Sequence, residues 1–213
     1  MRSLDKENIP QILNDNHINW LTAWLADKAN KTNKYRYRDP EIKTTLKIET
    51  GYKCVYCESK IGHNTPGDVE HMIPSSKDET KHFIWDNLTI ACTECNRRKN
   101  AYYEEGEEFL NPYIDKPIED LIEHYGPIVN WKNGQTRAEI SIKILELNND
   151  TRSELISQKI QKIEDLNNLI ERYQTEHDPM LKKLHELSLR SMSEVKSEYS
   201  GMIKTILEQK GII

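Results

Sequence analysis

No stretch of the 213 residues approaches 18 uninterrupted apolar positions, which argues against a transmembrane helix. The first residues, Met1 to Leu13, lack an apolar h-region, so a secretory signal is not expected and a cytoplasmic address follows by default. Positive charge is in deficit: 30 Lys+Arg stand against 35 Asp+Glu, a net charge of −5. That balance argues against a protein that coats nucleic acid by bulk charge, and any phosphate contact must come from a local basic patch. Apolar residues are also few, at 36%, which predicts a small compact part with long solvated helices. No internal repeat or low-complexity segment is present.

Cysteine is scarce, but its spacing is informative. The four fall as two pairs, Cys54-Val55-Tyr56-Cys57 and Cys92-Thr93-Glu94-Cys95. In a reducing compartment, matched CxxC pairs point to a metal site rather than to disulfides. Two thiolates on each tight turn can complete a tetrahedral shell, and structural Zn²⁺ is the expected ion. A redox CxxC is disfavoured because no βαβ pattern surrounds either pair. The gap of residues 58–91 is longer than in a simple zinc ribbon, so something is inserted between the knuckles.

Around that frame the pattern is helical. Residues 10–30 predict a helix, with Ile12, Leu13, Ile18, Trp20, Leu21, Trp24 and Leu25 near helical spacing. A basic, aromatic stretch follows, from Lys28 to Arg38. Asp39-Pro40 predicts an N-cap with Pro at the first helical position, opening a helix over 40–50 that ends at Gly51 and turns Ile42, Leu46 and Ile48 inward. Residues 51–111 carry turn chemistry at Gly62, Asn64, Pro66-Gly67 and Pro74 and predict short strands and loops. Residues 117–126 read as a short helix. Ile128-Val129 and Ile140-Ser141-Ile142, flanking Asn133-Gly134, read as a hairpin. From Asn149 to Thr175, and again from Met180, apolar residues recur every three or four positions, with Asp178-Pro179 between. This predicts an αα-hairpin or two long amphipathic helices, whose apolar stripes either pack on each other or dock a partner.

The gap between the knuckles holds Asp68-Val69-Glu70-His71-Met72-Ile73-Pro74, then Trp85-Asp86-Asn87-Leu88, and ends in Cys92-Thr93-Glu94-Cys95-Asn96-Arg97-Arg98-Lys99. In this order and inside a CxxC…CxxC frame, the sequence resembles the HNH endonuclease family. The resemblance rests on Glu70-His71 with Ile73-Pro74, on Asn87-Leu88, and on Cys-x-x-Cys-Asn-x-x-Lys at 92–99. It implies an α+β, mainly helical protein with a small zinc-braced ββα-metal core, an N-terminal helical arm and long C-terminal helices. The corresponding division is a helical, basic arm over 1–50, a nuclease core over 51–112, and a helical region with an αα-hairpin over 113–213.

Phosphodiester hydrolysis requires an activated water, a Lewis acid and charge neutralisation. The resemblance assigns these roles to His71 as general base and to Glu70 and Asn96 as ligands of a catalytic Mg²⁺ or Mn²⁺. Asn87, or a nearby backbone carbonyl, would fix the loop and orient the His71 ring. Arg36, Arg38, Arg97, Arg98 and Lys99 are candidates for nucleic-acid contact, the last three read as lying at the start of a helix. Glu70 stands where Asp or His is more usual, and Asn96 where His is; both offer oxygen, which favours a hard ion. His63 and His82, also in the gap, could touch phosphate or substrate, with a solvated or satisfied structural role the favoured reading; Trp85 reads as core, and Tyr102 and Tyr103 could stack on a base, with packing the favoured role.

The flanks narrow the resemblance. Met1-Arg2-Ser3-Leu4 with Pro10, Tyr35 to Ile42, Cys-x-x-Cys-Glu-Ser-Lys-Ile at 54–61 and Leu110-Asn111-Pro112-Tyr113 are similar to the HNH nuclease subunits of Septu anti-phage defence systems, a type that also accompanies some retrons. The resemblance spans about residues 1–147 and implies an ABC-type ATPase as partner and DNA as substrate. An RNA (tRNA)-directed nuclease of the same fold, and a catalytically silent zinc-braced adaptor, are the alternatives.

Overall fold

The N-terminal third of the computed structural model, which describes residues 1–62 and 66–213, is built by caps and aromatic anchors. Helix α1 (Gln11–Ala26) buries Leu13, Trp20 and Trp24 on one face and leaves Ile18 and Leu25 exposed. The chain breaks at Asp27, and Asn30 restarts it by accepting a hydrogen bond from Asn33 N at the head of the single-turn α2 (Lys31–Lys34). Helix α3 (Pro40–Glu49) is capped by Asp39, whose Oδ1 accepts from Glu41 N at 2.8 Å, with Pro40 where its missing N–H costs nothing. Ile42 and Leu46 face inward, whereas Ile48 faces out. Gly51 follows α3 at φ +65° and cannot be replaced without a clash: a Cβ there would lie 2.4 Å from the carbonyl oxygen of Lys196.

Strand β1 (Asp68–His71) pairs antiparallel with β2 (Leu88–Ala91), placing His71 opposite Leu88 and Glu70 opposite Thr89. Helix α4 (Thr93–Lys99) follows directly, completing a ββα unit. The first knuckle is tied to this unit by Val55 N, which donates to Ile90 O. Trp85 is buried as expected, its indole N–H donating to Glu7 O at 2.8 Å. Tyr102 packs edge-on against Phe109. His63 and Asn64 lie outside the described residues.

The region after residue 112 differs from its sequence pattern. The hairpin is formed by β3 (Ile122–Tyr125) and β4 (Ile128–Trp131), joined at Gly126-Pro127. The expected short helix over 117–126 is therefore a single 3₁₀ turn at Ile118–Asp120 followed by a strand. Ile140 to Ile142 belong to helix α5 (Thr136–Ile144), where Ala138, Ser141 and Ile142 form the buried stripe at helical spacing. The Asn133-Gly134 turn leads into this helix and not between two strands.

The C-terminal third contains three helices: α6 (Ser153–Thr175), α7 (Pro179–Met192) and α8 (Ser200–Gln209). Helices α6 and α7 pack as a hairpin around Asp178, which caps α7 through Met180 N and Leu181 N. Leu155, Leu166 and Ile170 of α6 and Leu189 of α7 are buried, while Met180, Leu181, Leu184 and Leu187 stay exposed. Helix α8 packs on β3 and returns the chain to the first knuckle. There the buried Lys53 Nζ donates to Ser197 O at 2.8 Å and to Glu58 Oε2 at 3.2 Å. Glu58 also accepts from Ser200 Oγ and Gly201 N. These buried bonds lock the knuckle to the C-terminal helices. The hydrophobic core is continuous from Leu13 through Leu88 and Ile90 to Leu207.

Candidate active site and metal centre

The four cysteines converge. Their sulfur atoms all lie within 4.8 Å of one another, with Cys57 Sγ 3.9 Å from Cys92 Sγ. A tetrahedral shell with Zn–S bonds of about 2.3 Å has sulfur–sulfur edges of about 3.8 Å, so the donor set and its spacing fit zinc. The turn into α4 is buttressed by Cys95 N, which donates to Cys92 Sγ. Two cations from far along the chain support the thiolates. Arg152 is buried and donates to Cys95 Sγ at 3.3 Å and to Leu145 O at 3.0 Å. Burial alone would lower its pKa, but the neighbouring Cys95 and Cys57 charges reverse that and raise it. Lys159 of α6 is buried in the same region and donates to Pro127 O. A Zn(Cys)₄ centre carries a formal double negative charge, and these two side chains offset it.

The ββα unit places the family motif around this centre. His71 ends β1, and its Nε2 lies 2.9 Å from His82 O. A carbonyl only accepts, so Nε2 carries the proton and Nδ1 keeps its lone pair. Burial pulls the His71 pKa down to about 3, so the ring is neutral at pH 7. Tyr37 packs edge-on against it at 4.6 Å, and the His82 ring stacks parallel to it at 4.9 Å. Asn87 is buried behind the loop. Its Oδ1 accepts from Ile73 N, and its Nδ2 donates to Ile73 O and Lys81 O. These side-chain bonds go to the backbone of the 73–81 loop, so Asn87 pins the segment that leads to His82.

Glu70 and Lys99 form a buried ion pair. Lys99 Nζ donates to Glu70 Oε1 at 2.6 Å and to His71 O at 2.8 Å, and Lys99 is only 1% exposed. Burial raises the Glu70 pKa, and Lys99 reverses that only in part. Lys99, read from the sequence as a phosphate contact, is therefore not at the surface. The physical reason is helical phase: Cys95 faces the other three cysteine sulfurs, and a residue four positions on shares that face. The basic run 97–99 is also at the C-terminal end of α4, not its start, so its N–H dipole does not favour phosphate there. Arg98 is largely covered, bonded to Glu94 at 2.6 Å and paired with Glu146. Arg97 remains exposed while bonded to Glu94.

An open groove of about 490 Å³ is lined by Lys34, Tyr37, Asp68, Thr93, Asn96 and Arg97, and His71 is joined to it through Tyr37, whose ring packs on the imidazole. It brings together Asn96 and a carboxylate, and that carboxylate is Asp68, with Glu70 two residues on along the strand and turned to Lys99. Oxygen donors of this kind suit a hard divalent ion. Of the basic arm, Lys34 lines the groove, Arg36 is half-buried 5.9 Å above the Trp20 ring, and Arg38 is exposed 4.3 Å above the Tyr35 ring. Asp68, Arg152 and Lys159 have no role in the sequence reading, and His82 is there a satisfied structural residue. For Asp68 a signal existed, since β-alternation puts it on the face of Glu70. For Arg152 and Lys159 none did, because Arg152 reaches Cys95 across 57 residues and Lys159 reaches Pro127 across 32.

This geometry is a ββα unit closed by four converging cysteines, and residues 54–101 match the model of the HNH endonuclease family. Beyond that segment, the chain is similar to the Septu protein PtuB of Bacillus mycoides (strain KBAB4), 29% identical over 204 residues. That alignment covers 78% of this chain and 68% of the relative. It is also similar to the Septu protein PtuB of Bacillus thuringiensis, 28% identical over 112 residues, covering 51% of this chain and 42% of that protein. Among the described residues no helix is long and apolar enough to cross a membrane.

Proposed function

We propose that this protein is a metal-dependent endonuclease that hydrolyses DNA phosphodiesters as the effector of an anti-phage defence complex, working with an ABC-type ATPase. The observation that carries the nuclease reading is the fixed tautomer of His71. With Nε2–H bound to the His82 carbonyl, Nδ1 is the atom left to take a proton from an attacking water. A bound Mg²⁺ or Mn²⁺ supplies Lewis-acid polarisation of the scissile phosphate and stabilises the leaving oxygen. Asp68 and Asn96, which line the groove, would hold it, and Glu70, the carboxylate expected from the sequence, would join them only on release from Lys99. Asn87 keeps the 73–81 loop, and hence the carbonyl that orients His71, in place. Lys34, Arg36, Arg38 and Arg97 draw the phosphate backbone to the groove, while Lys99 neutralises Glu70 from behind. The similarity to two Septu proteins supports the defence role and the ATPase partner.

The reading is tested with plasmid and with total tRNA, in Mg²⁺ or Mn²⁺, with and without the ATPase of the same system. Wild type should nick or cut plasmid and His71→Ala should not. Cleavage confined to tRNA would reassign the substrate. Intact plasmid and intact tRNA in the presence of the ATPase would remove the enzyme reading and leave a zinc-braced adaptor.

A further inference from the structure

The gap between the knuckles contains a second imidazole for which the hydrolytic scheme has no use. His82 is 1% exposed, too buried to meet a phosphate. Its ring is nonetheless held on every side. Nε2 lies 2.7 Å from Lys34 O, the last residue of α2, so Nε2 carries the proton. Nδ1 then accepts from Ser75 Oγ at 2.5 Å. One face stacks on Trp24 of α1 at 4.0 Å, the other on His71 at 4.9 Å, and the edges meet Tyr37 and Phe83. The backbone carbonyl of the same residue accepts the His71 Nε2–H.

We propose that His82 is a positioning residue: its ring, bolted to the N-terminal arm and to Ser75, holds the carbonyl that sets the tautomer and plane of His71. This rests on the reading of His71 as the base. Lys34 is the common element: it lines the groove, and its carbonyl receives the His82 ring. The basic arm and the proton acceptor are thereby one mechanical unit. A phosphate backbone seated on the arm bears on the element that keeps Nδ1 of His71 deprotonated and aimed. Two parallel neutral imidazoles, each a Nε2–H donor to a carbonyl, also explain how both are buried without a charge.

The test uses the full zinc-loaded chain with ¹⁵N-labelled histidine. Long-range ¹H–¹⁵N correlation reads each imidazole tautomer directly, with no nucleic acid present. Wild type should show both His71 and His82 as pure Nε2–H forms. His82→Leu keeps the bulk and removes both ring hydrogen bonds. It should turn His71 into an exchanging mixture of tautomers and lower kcat by about tenfold or more, with KM changed by less than about twofold. His82→Gln, whose amide can donate to Lys34 O and accept from Ser75, should keep the His71 Nε2–H form and most of kcat. A pure Nε2–H His71 with wild-type kcat in folded His82→Leu would overturn the proposal. Full activity in His71→Ala would remove the base assignment instead, and the tautomer spectra separate the two failures.

Discussion

Lys99→Met removes one partner of the buried pair with Glu70 while keeping the length of the side chain. The Nζ–Oε1 distance is 2.6 Å and the two side chains are 1% and 7% exposed. Lys99 also serves His71 O at 2.8 Å. Breaking a buried pair from one side leaves an uncompensated carboxylate and costs about 3–5 kcal/mol. For a chain of this size each kcal/mol lowers Tm by roughly 2–4 °C, so the expected fall is roughly 6–20 °C. Urea unfolding of the zinc-loaded protein measures the first quantity and calorimetry the second. The double variant Lys99→Met/Glu70→Leu should regain much of the loss, since an apolar pair of similar volume is often close to neutral there. Nucleic-acid affinity, corrected for folded fraction, should keep its salt dependence, because Lys99 touches no solvent. A variant as stable as wild type that loses about one unit from the slope of log K against log[salt] would refute this and restore Lys99 as a phosphate contact.

Other outcomes follow from the same geometry. Arg152→Met should weaken zinc affinity by about tenfold to a hundredfold in a chelator competition, as loss of an outer-shell partner does; unchanged affinity would contradict its role. Cys54→Ser or Cys92→Ser should yield protein without stoichiometric zinc by metal analysis and without a cooperative unfolding transition, since structural zinc binding is coupled to folding. Arg36→Ala and Arg38→Ala should each lower the salt slope of duplex binding by about 0.9, read by fluorescence anisotropy across a salt series; an unaltered slope would remove them from the interface. His124 is buried with both ring nitrogens unpartnered among the described residues, and burial lowers its pKa to about 3, with the N-terminal amine, Lys159 and Arg2 adding to the fall and Glu58 opposing it. Between about pH 6.5 and 3 the unfolded chain therefore binds a proton that the folded chain does not, so stability falls as pH falls. His124→Phe should lose about 2 kcal/mol less than wild type between pH 7 and pH 5 in urea titrations, and parallel curves would contradict the buried neutral state.

The parts of this molecule that were legible in sequence are those fixed by local chemistry. The CxxC spacing led to four converging sulfurs, Asp39-Pro40 opened a helix where capping places it, and Asp178-Pro179, read as the break between two runs, separates α6 from α7. The motif from Asp68 to Lys99 folded as strand, strand and helix. What failed was periodicity over short windows. Ile140 and Ile142 alternate like a strand, yet Ala138, Ser141, Ile142 and Leu145 form a helical stripe that buries against the hairpin. The true hairpin turn, Gly126-Pro127, lacks the Asn-Gly signature. Lys99 illustrates a different limit, because a basic triplet reads as a surface patch until one of its members shares the phase of a zinc ligand. His82, Arg152 and Lys159 show the third. Their roles come from Trp24, Lys34, Cys95 and Pro127, tens of residues away, and no spacing rule connects them.

The assignment of His71 as the proton acceptor is tested most directly by single-turnover cleavage of plasmid by wild type and His71→Ala, each zinc-loaded and folded, at saturating Mg²⁺ or Mn²⁺ and with the ATPase present. The expected result is a rate lower by about 10²–10⁴-fold in the variant, the usual contribution of a positioned general base. Cleavage by His71→Ala at a rate within about twofold of wild type would contradict it.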